Sequence, residues 1–123
     1  MVMIKTNKGQ QFYKKAKKII LGGNMLLSKR PEMFLPGKWP SYFLKANKIS
    51  VTDLDGNRYT DMICAVGTNI LGYANNEVDR EVIKAIKKGT MSTLNCFEEV
   101  ELTKKLLKIH QWADMAKYCR SGG

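Results

Sequence analysis

The sequence predicts an α/β fold, on three observations. Three amphipathic stretches carry helix caps, short β-rich runs surround an Asp55-Gly56-Asn57 turn, and a last apolar run leads into Ser121-Gly122-Gly123. With 123 residues the chain is long enough to bury a modest core. Its 44% apolar and 26% charged residues exclude a disordered or collagen-like class.

The first helix spans residues 10–21, with Phe12, Ala16, Ile19 and Ile20 on one face and Lys14, Lys15, Lys17 and Lys18 on the other. Gly22-Gly23 ends it. Residues 24–39, broken by Pro31, Pro36 and Gly37, read as a loop. Within it Arg30 is a candidate clamp for a substrate carboxylate, because its planar fork matches that anion bidentately.

Tyr42-Phe43-Leu44, Ile49 with Val51, and Arg58-Tyr59-Thr60 form a small antiparallel meander whose last turn is Asp55-Gly56-Asn57. Asp53 and Asp55 are turn residues there, since the further ligands of a calcium loop are missing. Residues 61–73, apolar and punctuated by Gly67 and Gly72, read as a buried loop or a turn of helix.

Residues 76–88 make the second helix, capped by Asn75 or Asn76, with Glu77 and Asp79 in the first turn and Lys84, Lys87 and Lys88 in the last. Val78, Val82, Ile83 and Ile86 are its buried stripe. The third helix spans residues 97–109, with Glu98, Glu99 and Glu101 at its positive end and Lys104, Lys105 and Lys108 near the other. His110 follows as a cap or surface residue, and Trp112 packs where the chain turns. A strand over residues 116–120 then enters Ser121-Gly122-Gly123, a small-residue loop of the kind that lets backbone N–H groups reach a phosphate.

The formal charge of +10, from 21 basic and 11 acidic residues, raises the alternative of a small basic nucleic-acid-binding module using the first helix. The cations are mostly lysines scattered in pairs, as on solvated helix faces. A nucleic-acid binder is the second choice. Cys64, Cys96 and Cys119 form no C-x-x-C pair, and their odd number argues against a disulfide framework. They read as small buried hydrophobes in a reducing compartment, and no metal site is expected. Neither a signal peptide nor a membrane span is evident, so the cytoplasm is the expected location and no membrane partner is expected.

The order of pieces is more specific than any one of them. Helix, Gly22-Gly23, Asp53-Leu54-Asp55-Gly56-Asn57-Arg58-Tyr59-Thr60-Asp61, Gly67-Thr68-Asn69-Ile70-Leu71-Gly72-Tyr73, a capped helix, Gly89-Thr90, Glu99-Val100-Glu101-Leu102 and a strand into Ser121-Gly122-Gly123 follow one another. This order resembles the N-terminal part of class III pyridoxal-phosphate aminotransferases, those similar to glutamate-1-semialdehyde aminomutase. The resemblance implies a fold-type-I enzyme, with residues 1–61 as the helix and meander of a small domain and residues 62–123 as the start of the large cofactor-binding domain.

It further implies pyridoxal 5'-phosphate as cofactor, a small amino donor or acceptor as substrate, a homodimer and no nucleic-acid partner. Ser121, Gly122 and Gly123 fall where the family holds the cofactor phosphate, with Gly123 in place of a threonine. Arg30 is the nearest match to a carboxylate-binding arginine, although the family's Asn-Ser-Pro is missing before it. Val66 stands where the aminomutases tend to have an aromatic near the substrate, and Asn75-Asn76 replaces the common His-Pro. The family's Schiff-base lysine lies beyond the phosphate loop. No catalytic residue is therefore assigned here, and the chain reads as the front part of a larger enzyme, inactive alone.

Overall fold

A computed structural model describes residues 8–119 of the chain. Contacts divide the chain into two compact units, Met1–Val82 and Ile83–Gly123.

In the first unit, α1 spans Lys8–Ile19 and buries Gly9, Tyr13 and Ala16. This face is turned away from the expected one: Phe12 and Ile19 are exposed. On the buried side the backbone of Ser41 lies close against Gly9, where a Cβ would stand 3.6 Å from the Ser41 amide nitrogen, in ordinary contact. Phe12 instead meets the Tyr42 ring edge-on, with centroids 6.0 Å apart. Gly22 and Gly23, at φ 75° and 80°, stop the helix as expected. The following loop contains two short 3-10 turns, Leu27–Lys29 and Pro31–Met33. It is tied to α1 by the Gln10 side-chain amide, which donates to the Trp39 carbonyl at 3.1 Å.

The meander forms as β1 (Phe43–Asn47), β2 (Ser50–Asp53) and β3 (Arg58–Thr60), antiparallel in the order β1-β2-β3. Its second turn is organised by Asp53, only 5% exposed. The carboxylate accepts the Asp55 and Asn57 amides at 2.9 and 2.8 Å, the Asn57 side chain at 2.9 Å and the Tyr59 hydroxyl at 3.0 Å. Four donors satisfy the buried charge without a metal. Among the described residues no cluster of three metal-ligating side chains exists.

Helix α2 spans Asn76–Lys88, and Asn75 caps it by accepting the Glu77 and Val78 amides at 3.1 Å each. In the second unit, α3 spans Phe97–Ile109. Both helices match their expected bounds, but the expected burial does not hold. Val78, Val82, Ile83 and Ile86 are exposed, and so are Val100, Leu102 and Ile109. Periodicity marks a face fit for burial; it does not supply the surface that covers it.

The strand expected over residues 116–120 is also absent from residues 116–119. A strand requires a ladder partner, and here the segment bonds to α3 instead: the Tyr118 hydroxyl lies 2.9 Å from Thr103 Oγ1 and 3.4 Å from the Glu99 carbonyl. Trp112 is exposed, its ring edge-on to that of His110 with centroids 5.9 Å apart. Cys96 and Cys119 are exposed and Cys64 half-buried, so none is the buried hydrophobe expected. Among the described residues no helix is long and apolar enough to cross a membrane.

Candidate functional site

Arg30 sits between the two 3-10 turns, and its guanidinium lies over Gly22. A Cβ on Gly22 would fall 2.1 Å from an Arg30 terminal nitrogen, so the glycine makes room for the arginine. Nearby, the Tyr13 hydroxyl donates to Glu32 Oε2 at 2.8 Å, while Lys17 reaches Glu32 Oε1 at 3.4 Å. Burial, then the hydrogen bond to Glu32, raises the Tyr13 phenol above its usual pKa; the same bond lowers that of Glu32. The one acid of the turn is thus committed to Tyr13 and Lys17. Arg30 Nε is buried and has no hydrogen-bond partner, leaving a desolvated cationic donor in want of an acceptor.

Val66 lies in a different kind of element. Residues 61–73 form a compact Ω-loop, closed at its neck. Tyr73 and Lys48 exchange two backbone hydrogen bonds of 2.8 Å, and the Asp61 amide donates to the Ile49 carbonyl at 2.8 Å. The side chains close the same neck, the Tyr73 hydroxyl donating to Asp61 Oδ2. The other Asp61 oxygen accepts the Ile63 and Cys64 amides at 2.8 and 3.2 Å. These bonds hold the Asp61 carboxyl below its ordinary pKa, Tyr73 first among them, and raise that of Tyr73.

Inside the loop, Cys64, Ala65, Val66 and Gly67 have φ of 50°, 51°, 58° and 79°. They make a single turn of left-handed helix, fastened by Gly67 N–H to Ile63 C=O at 3.2 Å and Asn69 N–H to Cys64 C=O at 3.1 Å. Three side-chain-bearing residues in that region cost of order 1 kcal/mol each, and a β-branched one is the least tolerant. The turn leaves Val66 77% exposed. The loop as a whole is therefore on the surface, unlike the buried segment expected, because the neck fixes its shape without a core.

No hydrogen bond links Arg30 to Val66. An open cleft of about 250 Å³ runs between the far side of the loop and the start of α2, past Asn69, Gly72, Asn75 and Asp79, and neither residue lines it. Ser121, Gly122 and Gly123 lie outside the described residues. Reading the sequence alone missed the Asp61–Tyr73 clasp and the Tyr13–Glu32 bond. The only advance sign of the clasp was an acid immediately before a glycine-punctuated run.

No protein-family model matches the sequence. Among curated proteins, the chain is 34% identical over 120 residues to 3-aminobutyryl-CoA aminotransferase of Cloacimonas acidaminovorans, across 97% of this chain and 29% of that one. It is 32% identical over 120 residues to glutamate-1-semialdehyde 2,1-aminomutase of Methanococcoides burtonii, across 98% and 27%. Among solved structures, the FumI protein of Sphingopyxis sp. MTA144, in its PLP internal aldimine form, superposes with a TM-score of 0.84 at 27% identity over 94% of this chain and 27% of that one.

The chain is a relative of the class III pyridoxal-phosphate aminotransferases. It spans under a third of the length of the curated relatives it matches. The fold is that of these aminotransferases also at lower identity: the β-phenylalanine aminotransferase of Variovorax paradoxus superposes with a TM-score of 0.79 at 19% identity, over 93% of this chain and 25% of that one. The order of helix, meander, Ω-loop and two further helices is therefore found in an aminotransferase fold.

Proposed function

We propose that this protein is a pyridoxal-phosphate-dependent enzyme, an aminotransferase or aminomutase, that moves an amino group on a small amino acid or an aldehyde or keto substrate. The observation that carries the proposal is the likeness, across nearly the whole chain, to an aminotransferase and an aminomutase alike. In this reading residues 1–61 belong to the small domain, residues 62–123 open the large one, and the active enzyme is a homodimer.

The donor set fits the phosphate end of the cofactor. By residue type, Ser121 offers a hydroxyl, and Gly122 and Gly123 offer N–H groups without side chains, as suits an anion. Gly123 brings no hydroxyl, so backbone donors carry more of the binding. When bound, the cofactor supplies the electron sink for the amino-bearing carbon. Arg30, whose buried Nε lacks an acceptor, pairs with the substrate carboxylate, and Val66 meets the substrate's side. No lysine of this chain is assigned to the cofactor's carbonyl, so residues 1–123 by themselves are expected to transfer no amino group.

The test uses protein expressed from its complete reading frame. It is expected to keep pyridoxal-phosphate absorbance through dialysis and to deaminate a small amino acid in the presence of a keto acid. Ser121→Ala should weaken cofactor retention roughly tenfold, the worth of one hydrogen bond to a charged group. Arg30→Gln should raise KM for carboxylate substrates by about tenfold or more while the cofactor stays bound. Loss of all absorbance on dialysis, with no amino transfer from any donor, would overturn the reading.

A further inference from the structure

Glu32 is the only acidic residue among the first 52, and it stands two positions from Arg30, whose Nε is buried without an acceptor. A short chain of contacts joins the two in space as well. The Arg30 guanidinium lies over Gly22, the Gly22 carbonyl accepts the Tyr13 hydroxyl at 3.5 Å, and that hydroxyl bonds Glu32 at 2.8 Å. Burial, then Glu32, raises the Tyr13 phenol, and the nearby Arg30 charge pulls the other way. Yet among the described residues no ion pair joins Arg30 to a carboxylate, while Glu32 is paired with Lys17 at 3.4 Å.

An arginine beside a free carboxylate pairs with it, because the planar fork takes both oxygens at once. Such a pair would fill the donors that a ligand needs. We propose that Tyr13 is a positioning residue that holds Glu32 away from Arg30, keeping the guanidinium open for the carboxylate of the substrate. This rests on the aminotransferase reading above, in which Arg30 takes that carboxylate, and adds to it Tyr13 and Glu32, which act through Arg30. Lys17 contributes little to the hold, since its side chain and that of Glu32 are 49% and 47% exposed. Once the Tyr13 hydroxyl is removed, Glu32 turns to the guanidinium and competes with the substrate.

The experiment uses protein from the complete reading frame, with Arg30→Gln as the reference for a lost carboxylate contact. Two constants are read: KM for alanine or β-alanine, whichever the parent turns over, and the dissociation constant of butyrate, a carboxylate with no amino group, by thermal shift. A purely structural role for Tyr13 would lower the fraction of active enzyme, which reduces kcat and leaves both constants alone. The positioning role moves the constants themselves. Tyr13→Phe is expected to raise both by roughly fivefold. Adding Glu32→Gln to Tyr13→Phe should return them to within about twofold of the parent, because a neutral amide does not compete for the guanidinium charge. Glu32→Asp keeps the charge but shortens its reach to Tyr13, and should move both constants in the same direction as Tyr13→Phe with every buried side chain intact.

Constants unmoved by Tyr13→Phe and Glu32→Asp, with Arg30→Gln still raising them, would defeat the positioning role while leaving the enzyme reading intact. A rise in Tyr13→Phe that Glu32→Gln does not reverse would show that Glu32 is not the competitor, and would overturn the role as well. Should Tyr13→Phe fail to fold, Glu32→Asp decides alone. If Arg30→Gln changes neither constant, the carboxylate contact in the functional reading fails first, and this inference with it.

Discussion

The backbone N–H of Lys8 donates to the Asp55 carboxylate at 3.1 Å, although 47 residues separate the two in sequence. The Gly9 N–H points to the other oxygen of the same carboxylate, at 3.5 Å. The first turn of α1 has no acidic side chain of its own. The meander's turn therefore lends α1 the negative charge that its unsatisfied N–H groups and dipole favour. Asp55 thus sits in the β2–β3 turn that Asp53 organises and also caps a distant helix.

That double duty sets the first prediction. Asp55→Ala should lower stability by about 1 kcal/mol, the usual worth of an N-cap. Asp55→Asn, which keeps an acceptor and loses the charge, should cost less. Urea unfolding of the two variants side by side checks the order. Equal loss in both would mean that the charge, and not the hydrogen bond, is what α1 draws on.

Tyr59 gives a pH prediction. Burial, then its hydrogen bond to Asp53, pushes its phenol up to about 12. The folded pKa is raised above the unfolded value near 10, so this contribution to stability is complete below pH 10 and is lost as pH climbs toward 12. Ionisation would set a phenolate against the buried Asp53 carboxylate. In a spectrophotometric titration, the last phenol to ionise should be the one that Tyr59→Phe removes. The substituted protein should also lose less stability between pH 10 and pH 12 than the parent.

Glycines with the same backbone angle should differ in what they tolerate. Gly23 and Gly37 have φ of 80° and 74°, yet a Cβ on Gly23 would meet the Tyr13 ring at 2.7 Å, while one on Gly37 meets nothing within 4 Å. Gly37→Ala should therefore cost about 1 kcal/mol, for backbone alone. Gly23→Ala should cost a further ~1–3 kcal/mol of overpacking. Thermal unfolding of both variants isolates the packing term as their difference.

What the sequence disclosed follows from which forces are local. The bounds of α2 and α3, the Gly22-Gly23 stop and the meander are written in caps, glycines and turn residues within a few positions of where they act. Burial is not local. Val78, Val82, Ile83 and Ile86 repeat with helical period and still lie exposed, and residues 116–119 were expected as a strand but have no ladder. The face of α1 was misjudged for the same reason: Gly9, with no side chain, marks the buried side only once Ser41 is known to lie against it. Arg30 and Val66 are named as site candidates through family resemblance. The clasp that shapes the loop around Val66 joins residues 12 apart through side chains whose types carry no joint signature.

The strained turn supplies a last prediction, about stability. At φ 58° a valine Cβ crowds the backbone by about 1–2 kcal/mol, which a glycine avoids. Glycine also loses more freedom on folding, by about 0.5–1 kcal/mol, so the net gain for Val66→Gly should be several tenths to about 1 kcal/mol. Little burial offsets this, because the side chain is already mostly in solvent. The substituted protein should unfold at higher urea with an unchanged m value. Val66→Ala keeps the Cβ and should leave the midpoint near that of the parent. If Val66→Gly instead unfolds earlier, the turn is not held under strain, and the outward set of Val66 needs no clasp to explain it.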